Sequence, residues 1–481
     1  MSDVWTILIG VGLGVGAALL AQLTMATFRP LAALYRRRRV VLSAAATLPA
    51  RDRAHLQDDE SSAMPGSEDV STRSVPDIGI LRTVSTGDRF YVTRVEMENF
   101  RCFARARLDL RVPGESSELR YPNVNLLLGN NGSGKSSVLR AIAQAALGPA
   151  LNSSGFAPYH LVRVGQGIAR VRGEFVWSDP SRHLRVLPGT VAIQRHGDFE
   201  RLHSFHDEEI WSALFDESDP SFLVVGYGAN RRVAGERARV SLEQGKLRRR
   251  YQRVASLFDE EAVLVPLGSW LPGLPPRRRD EVLKLLTKSL PTGTLVSDST
   301  DGDDVTFVHH GVPLPYRAMS DGYRSFIGWV SDLLFQVTSV IDERTPIGDV
   351  GGIVLVDEVD LLLHPTWQRE VIGHVARLFP HMQFVFTTHS PLVASTLEAD
   401  NIALAWEEDG LSRLQRPGAA IHGLNAEQVL RSPYFRMRTT RAPDVDNPLE
   451  VLARRAVRGD SEAATEYLRR LAAGDEQLDR P

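Results

Sequence analysis

Apolar and uncharged runs divide this chain before any single motif stands out. From Val4 to Phe28 no charged residue occurs, and most positions are Leu, Ile, Val, Ala or Gly. About 20 apolar residues suffice to cross a bilayer as a helix, so the pattern predicts a transmembrane helix over 4–28. Shorter apolar runs occur at Val124–Leu128, Gly352–Val356 and Gln383–Thr387. Unbroken runs of this length predict buried strands in the middle of a mostly parallel sheet. Arg89–Asn99 alternates as a strand, and Phe100–Phe103 and Ala106–Val112 continue in the same style. Several short alternating runs between 161 and 205, such as Ala169–Trp177, predict an antiparallel β subdomain. Helical spacing marks Ser137–Leu147, stopped by Gly148-Pro149, and a second helix containing Trp367–Leu378 that would join the last two buried strands as a β-α-β unit. Residues 241–290 read as helical, with Glu281–Leu286 the clearest piece. The predicted class is α/β with a β-rich and a helical insertion, preceded by a single transmembrane helix.

The first buried strand runs into Gly129-Asn130-Asn131-Gly132-Ser133-Gly134-Lys135-Ser136-Ser137, a full match to the phosphate-binding pattern G-x-x-x-x-G-K-[S/T]. The glycines let the backbone turn tightly enough to aim several N–H groups at phosphate oxygens. Lys135 supplies a positive charge for the β- and γ-phosphates, and the Ser136 hydroxyl can ligate Mg²⁺. The helix that follows puts its N-terminus at the phosphate. The ligand class implied is a nucleoside triphosphate with magnesium. Two further strand ends carry chemistry. Val354-Leu-Val ends in Asp357-Glu358, where Asp357 can hold Mg²⁺ with Ser136 and Glu358 can polarise an attacking water. Thr387-Thr-His389-Ser-Pro closes the last strand, and His389 is placed to bond the γ-phosphate or that water.

The order of phosphate loop, Met319-Ser320-Asp-Gly322-Tyr, Asp357-Glu-Val-Asp-Leu-Leu-Leu-His364-Pro365 and Thr388-His-Ser-Pro resembles the ABC-type ATPase domain. The Glu98-Asn-Phe-Arg101 run before the loop, the shortened signature and the extended acidic motif are similar to its SMC, RecF and OLD branch. The resemblance implies a P-loop fold and an ATPase reaction over residues 88–415. It divides them into a phosphate-loop half (88–230), a helical lobe (about 231–325) and a half with the acidic and switch motifs (326–415). It implies that Ser320 and Gly322 contact the γ-phosphate held by the opposite copy of a homodimer or higher homo-oligomer. It also gives Asp357 as the magnesium position, Glu358 as the catalytic glutamate, His389 as the switch histidine and Asp360 as the start of the loop at the dimer interface. Departures remain: no aromatic precedes the loop at an adenine-stacking position, and the expected glutamine of the Q-loop is replaced around Val224–Arg232, where Asn230 or Arg231 could act instead. The branch brings three functions into view: a nucleotide-dependent dimer switch, acting in phage defence with a separate effector protein; a DNA-repair or DNA-clamping ATPase; and, less in keeping with one transmembrane helix, a transporter subunit.

Composition adds limits. The net charge of −3 gives no global sign of nucleic-acid binding, and one cysteine excludes an intrachain disulfide. Basic residues Arg29 and Arg36–Arg39 follow the apolar run while Asp3 precedes it, which predicts a single-pass protein of the bacterial inner membrane with its bulk in the cytoplasm. Gly10/Gly14 and Gly12/Gly16 form G-x-x-x-G pairs that let two such helices approach. Residues 29–87 form a basic juxtamembrane segment and a polar linker without periodicity; the flexible part would span roughly 35 Å. His196, His203 and His206 match no common metal spacing. The basic runs at Lys246–Arg253 and Arg277–Arg279 suit either nucleic acid or solvent. Residues 416–481 predict a helical extension with neither the room nor the acidic cluster for a nuclease domain.

Overall fold

The computed structural model describes residues 89–476, apart from 116–117, 155, 179–183, 207–210, 212–221, 234–247, 302–303 and 441–442. The transmembrane prediction at 4–28 and the linker at 29–87 lie outside the described residues. Among the described residues no helix is long and apolar enough to cross a membrane.

In chain order, the first half contains β1 (Arg89–Phe100), β2 (Phe103–Asp109), β3 (Val124–Gly129), α1 (Lys135–Ser153), β4 (Ile168–Ser178), β5 (Leu184–His196), β6 (Phe199–Phe205) and β7 (Val224–Tyr227). The second half contains α2 (Pro276–Ser289), β8 (Thr294–Asp301), β9 (Asp304–His309), β10 (Val312–Pro315), α3 (Asp321–Thr338), β11 (Gly352–Val356), α4 (Val371–Leu378), β12 (Met382–Thr388), β13 (Ile402–Glu408) and β14 (Leu411–Gln415). Two more helices, α5 (Pro443–Val457) and α6 (Ser461–Glu476), follow.

One six-stranded sheet has the order β14-β13-β3-β12-β11-β7, with β14 antiparallel and the other five strands parallel. Its apolar runs are unbroken because both faces are covered. Leu126, Leu128, Val354, Val356, Phe384 and Phe386 pack into a core with α2, α3 and α4. The alternate residues Leu127, Ile353, Leu355 and Val385 pack into a second core with α1 and another sheet. In register, Tyr227, Val356, Phe386 and Leu126 stand side by side; β7 and β11 end at that level, while β12 and β3 run on to Thr388 and Gly129. The β-α-β unit of β11, α4 and β12 is present as the pattern predicts.

Three expectations change. The alternating runs between 161 and 205 are not a separate subdomain. They continue the strands before the phosphate loop in one antiparallel sheet of order β2-β1-β4-β5-β6. The side chain of Gln383 on β12 ties this sheet to the parallel one: it donates to Val92 O at 2.7 Å and accepts from Val92 N at 2.8 Å. Second, α1 does not stop at Gly148-Pro149 but runs to Ser153. Pro149 has no N–H, which leaves the Ala145 carbonyl without its helical donor, and His206 Nε2 fills the gap at 2.9 Å. Gly148 makes room for that ring, since a Cβ there would lie 2.9 Å from it. His206 is therefore engaged with the helix, and no group of metal-ligating side chains occurs among the described residues. Third, the region 231–325 contains the three-stranded antiparallel sheet β8-β9-β10 in addition to α2. Val305 and Phe307 point into the core while Thr306 and Val308 do not, a period of two that a helical reading of the segment misses.

Candidate nucleotide site

The carboxyl ends of adjacent parallel strands are where α/β sheets bind ligands, and here those of β3, β12, β11 and β7 carry all but the signature residues among the candidates. The loop after β3 is shaped by glycines. Gly129 passes so close to β13 that a Cβ would lie 2.0 Å from the Ala405 carbonyl oxygen. Gly134 caps α1 in the left-handed region at φ 97°, with Phe103 and Cys102 Sγ where a side chain would go. Asn130, Asn131 and Gly132 form an exposed rim, while Ser133, Lys135 and Ser137 are buried. The free N–H groups of the first turn of α1 face the loop, which suits an anion.

Lys135 is turned onto its own loop. Its Nζ donates to Gly129 O at 3.0 Å and Asn130 O at 2.9 Å, and lies 2.9 Å from His389 Nε2. Because an ammonium only donates, that imidazole nitrogen accepts, and His389 is the neutral tautomer with its proton on Nδ1. Burial, followed by the charge of Lys135, holds His389 below the ordinary histidine range. Burial also brings Lys135 down to about 8, against the opposing pull of Asp357, Glu358 and Asp360.

Asp357 and Glu358 follow β11. Asp357 is buried, and its Oδ1 accepts from Thr387 Oγ1 at 2.5 Å. Among the described residues neither Asp357 Oδ2 nor the Ser136 hydroxyl has a hydrogen-bond partner. Two uncommitted hard oxygen donors of this kind fit a magnesium ion. Glu358 sits in the left-handed region at φ 48°. Burial first, then Asp357 and Asp360, raise its carboxyl above the usual range.

The sequence left the Q-loop position open between Asn230 and Arg231. Asn230 faces outward and bonds the Glu260 carbonyl at 3.1 Å. Arg231 is buried, and its guanidinium bonds the carbonyls of Asp357 and Glu358, the latter at 2.6 Å. Thr387 was missed altogether. The only signal was a pair of threonines ending a largely apolar strand.

Ser320 and Gly322 stand apart. Ser320 is the N-cap of α3, yet its exposed hydroxyl makes no capping bond. Gly322 lies under the loop after Glu358, where a Cβ would be 2.3 Å from Leu362 O. No hydrogen bond among the described residues joins either to residues 129–137.

A family model described as "AAA domain, putative AbiEii toxin, Type IV TA system" matches residues 270–395, and one described as "AAA domain" matches 94–173. The chain is 25% identical over 364 residues to Septu protein PtuA of Bacillus mycoides (strain KBAB4), which is 75% of this chain and 46% of that protein. It is 33% identical over 151 residues to the Retron Vc95 probable ATPase of Vibrio cholerae serotype O1 biovar El Tor, covering 31% and 28% respectively. Among solved structures it is similar to an SMC head bound to the C-winged helix domain of ScpA, with a TM-score of 0.42, 15% identity, and coverage of 68% of this chain and 97% of that one. The chain spans about half or less of the length of these curated relatives. Residues 94–173 and 270–395 are thus similar to AAA-type ATPase domains.

Proposed function

We propose that the chain binds ATP with magnesium, hydrolyses it, and uses the cycle to close and open a dimer of two copies. The observation that carries the reading is the position of Lys135, whose ammonium lies between the loop carbonyls and His389, with Asp357, Glu358 and Asp360 close enough to offset part of the burial that lowers its pKa. Phosphate oxygens would take over the bonds that Lys135 now makes to Gly129 and Asn130, and the first turn of α1 would hold them through its N–H groups. Ser136 and Asp357 would hold the magnesium ion, which when bound neutralises developing charge on the phosphates. Glu358, held near its neighbours' negative charge, is disposed to take a proton from the attacking water. His389 Nε2 is freed once Lys135 turns to the nucleotide, and with a proton taken up there it can donate to the γ-phosphate. Ser320, exposed and without a capping bond, is available to the nucleotide of a second copy.

In this reading residues 4–28 anchor each copy in a membrane, with the ATPase part in the cytoplasm, and a separate effector acts with it in phage defence. Phage plating on cells carrying the gene and its neighbours tests the last step, and equal plating with wild type and Lys135→Ala would overturn it. The dimer is tested with Glu358→Gln: ATP should convert it to a stable dimer by light scattering, with hydrolysis lost. A variant that stays monomeric and hydrolyses at the wild-type rate sinks the mechanism. ATPase stimulation by DNA that falls steeply with salt would instead favour the DNA-clamping reading.

A further inference from the structure

One buried hydroxyl serves both acidic residues of the site. Thr387, on β12, has no exposed surface. Its Oγ1 donates its single proton to Asp357 Oδ1 at 2.5 Å and accepts the N–H of Glu358 at 2.7 Å. Its own carbonyl accepts from Val359 N at 3.0 Å. Three bonds from one residue therefore fix the turn that ends β11. The short contact to Asp357 has the length of a charge-assisted bond, and it commits one carboxylate oxygen while leaving the other without a partner among the described residues. The bond to Glu358 holds one side of a residue in the left-handed region, which a non-glycine residue adopts at a cost. Arg231 holds the other side through the Glu358 carbonyl. The next residue repeats the pattern: the Thr388 hydroxyl donates to Asp360 Oδ1 and accepts from Ser390 N.

We propose that Thr387 is the positioning residue of this site, orienting Asp357 toward magnesium and Glu358 toward water through a single hydroxyl. The inference rests on the ATPase reading above and adds the residue that sets its geometry. Loss of such an outer partner typically costs about 10- to 100-fold in metal affinity or activity.

Thr387→Val replaces the hydroxyl with a methyl group of similar size. Thr387→Ser keeps the hydroxyl. Equilibrium binding of a fluorescent ATP analogue (methylanthraniloyl-ATP), measured in EDTA and then in magnesium, separates the cradle from the metal. The valine variant should match wild type in EDTA and lose about tenfold or more of the gain that magnesium confers. Its kcat should fall and its KM for the magnesium nucleotide rise in step with the lost magnesium gain, and the serine variant should stay near wild type. A valine variant with the full magnesium gain and wild-type kcat overturns the proposal, as does a serine variant no better than valine. If the valine protein does not fold, Thr387→Cys, a weak donor of similar volume, takes its place under the same criteria. Failure of the wild type to bind the analogue would instead overturn the ATPase reading itself.

Discussion

Arg231 reaches from the end of β7 to donate to the main-chain carbonyl of Glu358 at 2.6 Å, and it bonds the neighbouring carbonyl of Asp357 as well. A buried cation thus braces the backbone of two acids rather than pairing with their carboxylates. The same acids, with Asp360, offset part of the burial that brings Arg231 down to about 10. Removing the side chain takes a donor from the carbonyls of Gly228, Asp357 and Glu358, of which Glu358 keeps the N–H of Leu361 at 3.0 Å. Arg231→Ala should lose about 2–4 kcal/mol of unfolding free energy and most of its ATPase activity. Arg231→Lys should recover little, because an ammonium lacks the planar fork. Urea denaturation beside steady-state hydrolysis checks this, and wild-type stability in the alanine variant would refute it.

Lys135 sets a pH dependence. Its value of about 8 without nucleotide lies below the ordinary 10.5, and phosphate oxygens would raise it again. Binding then takes up a proton wherever the free lysine is neutral, that is, above pH 8. Affinity for the ATP analogue should be level below that point and fall above it, by up to about tenfold per pH unit. The sign for folding is opposite. Between about 8 and 10.5 the unfolded chain binds more protons, so the Lys135 contribution makes the nucleotide-free protein more stable as pH rises. Affinity that stays flat on both sides of pH 8 would contradict the assignment.

Gly322 and Ser320 should separate into two phenotypes. A Cβ at Gly322 would meet the Leu362 carbonyl oxygen of the same chain at 2.3 Å. Gly322→Ala should therefore destabilise the nucleotide-free monomer by about 1–3 kcal/mol. Ser320 is exposed and caps nothing, so Ser320→Ala should leave stability within about 0.5 kcal/mol. Placed in the Glu358→Gln background, it should prevent the ATP-induced dimer. Thermal melts and light scattering on the same samples decide the matter; an unchanged dimer in the Ser320 variant would remove its role in trans.

The segment at 4–28 predicts its own test. Full-length protein should remain with membranes after an alkaline wash, and deletion of those residues should release it without changing hydrolysis. Release of the full-length chain by the same wash would refute the anchor.

Local pattern was enough to locate the glycine loop and the start of α1, because nine consecutive residues from Gly129 to Ser137 contain the turn glycines, the lysine and the helix start. It also put the acid pair and His389 at the ends of buried strands, since a largely apolar run precedes each. The C-terminal alignment of those strands followed from their parallel class. Other relationships were settled only by the chain's return on itself. Arg231 lies 127 residues from the Glu358 carbonyl it holds, and Thr387 lies 30 from the Asp357 carboxylate. Pairing of β1 with β4, the ring of His206 under Pro149, and Gly322 against Leu362 are likewise contacts between separated segments. A side chain's type and spacing reveal what it can bond. Which carbonyl or carboxylate it meets depends on how strands and helices pack, and that is a property of the tertiary fold alone.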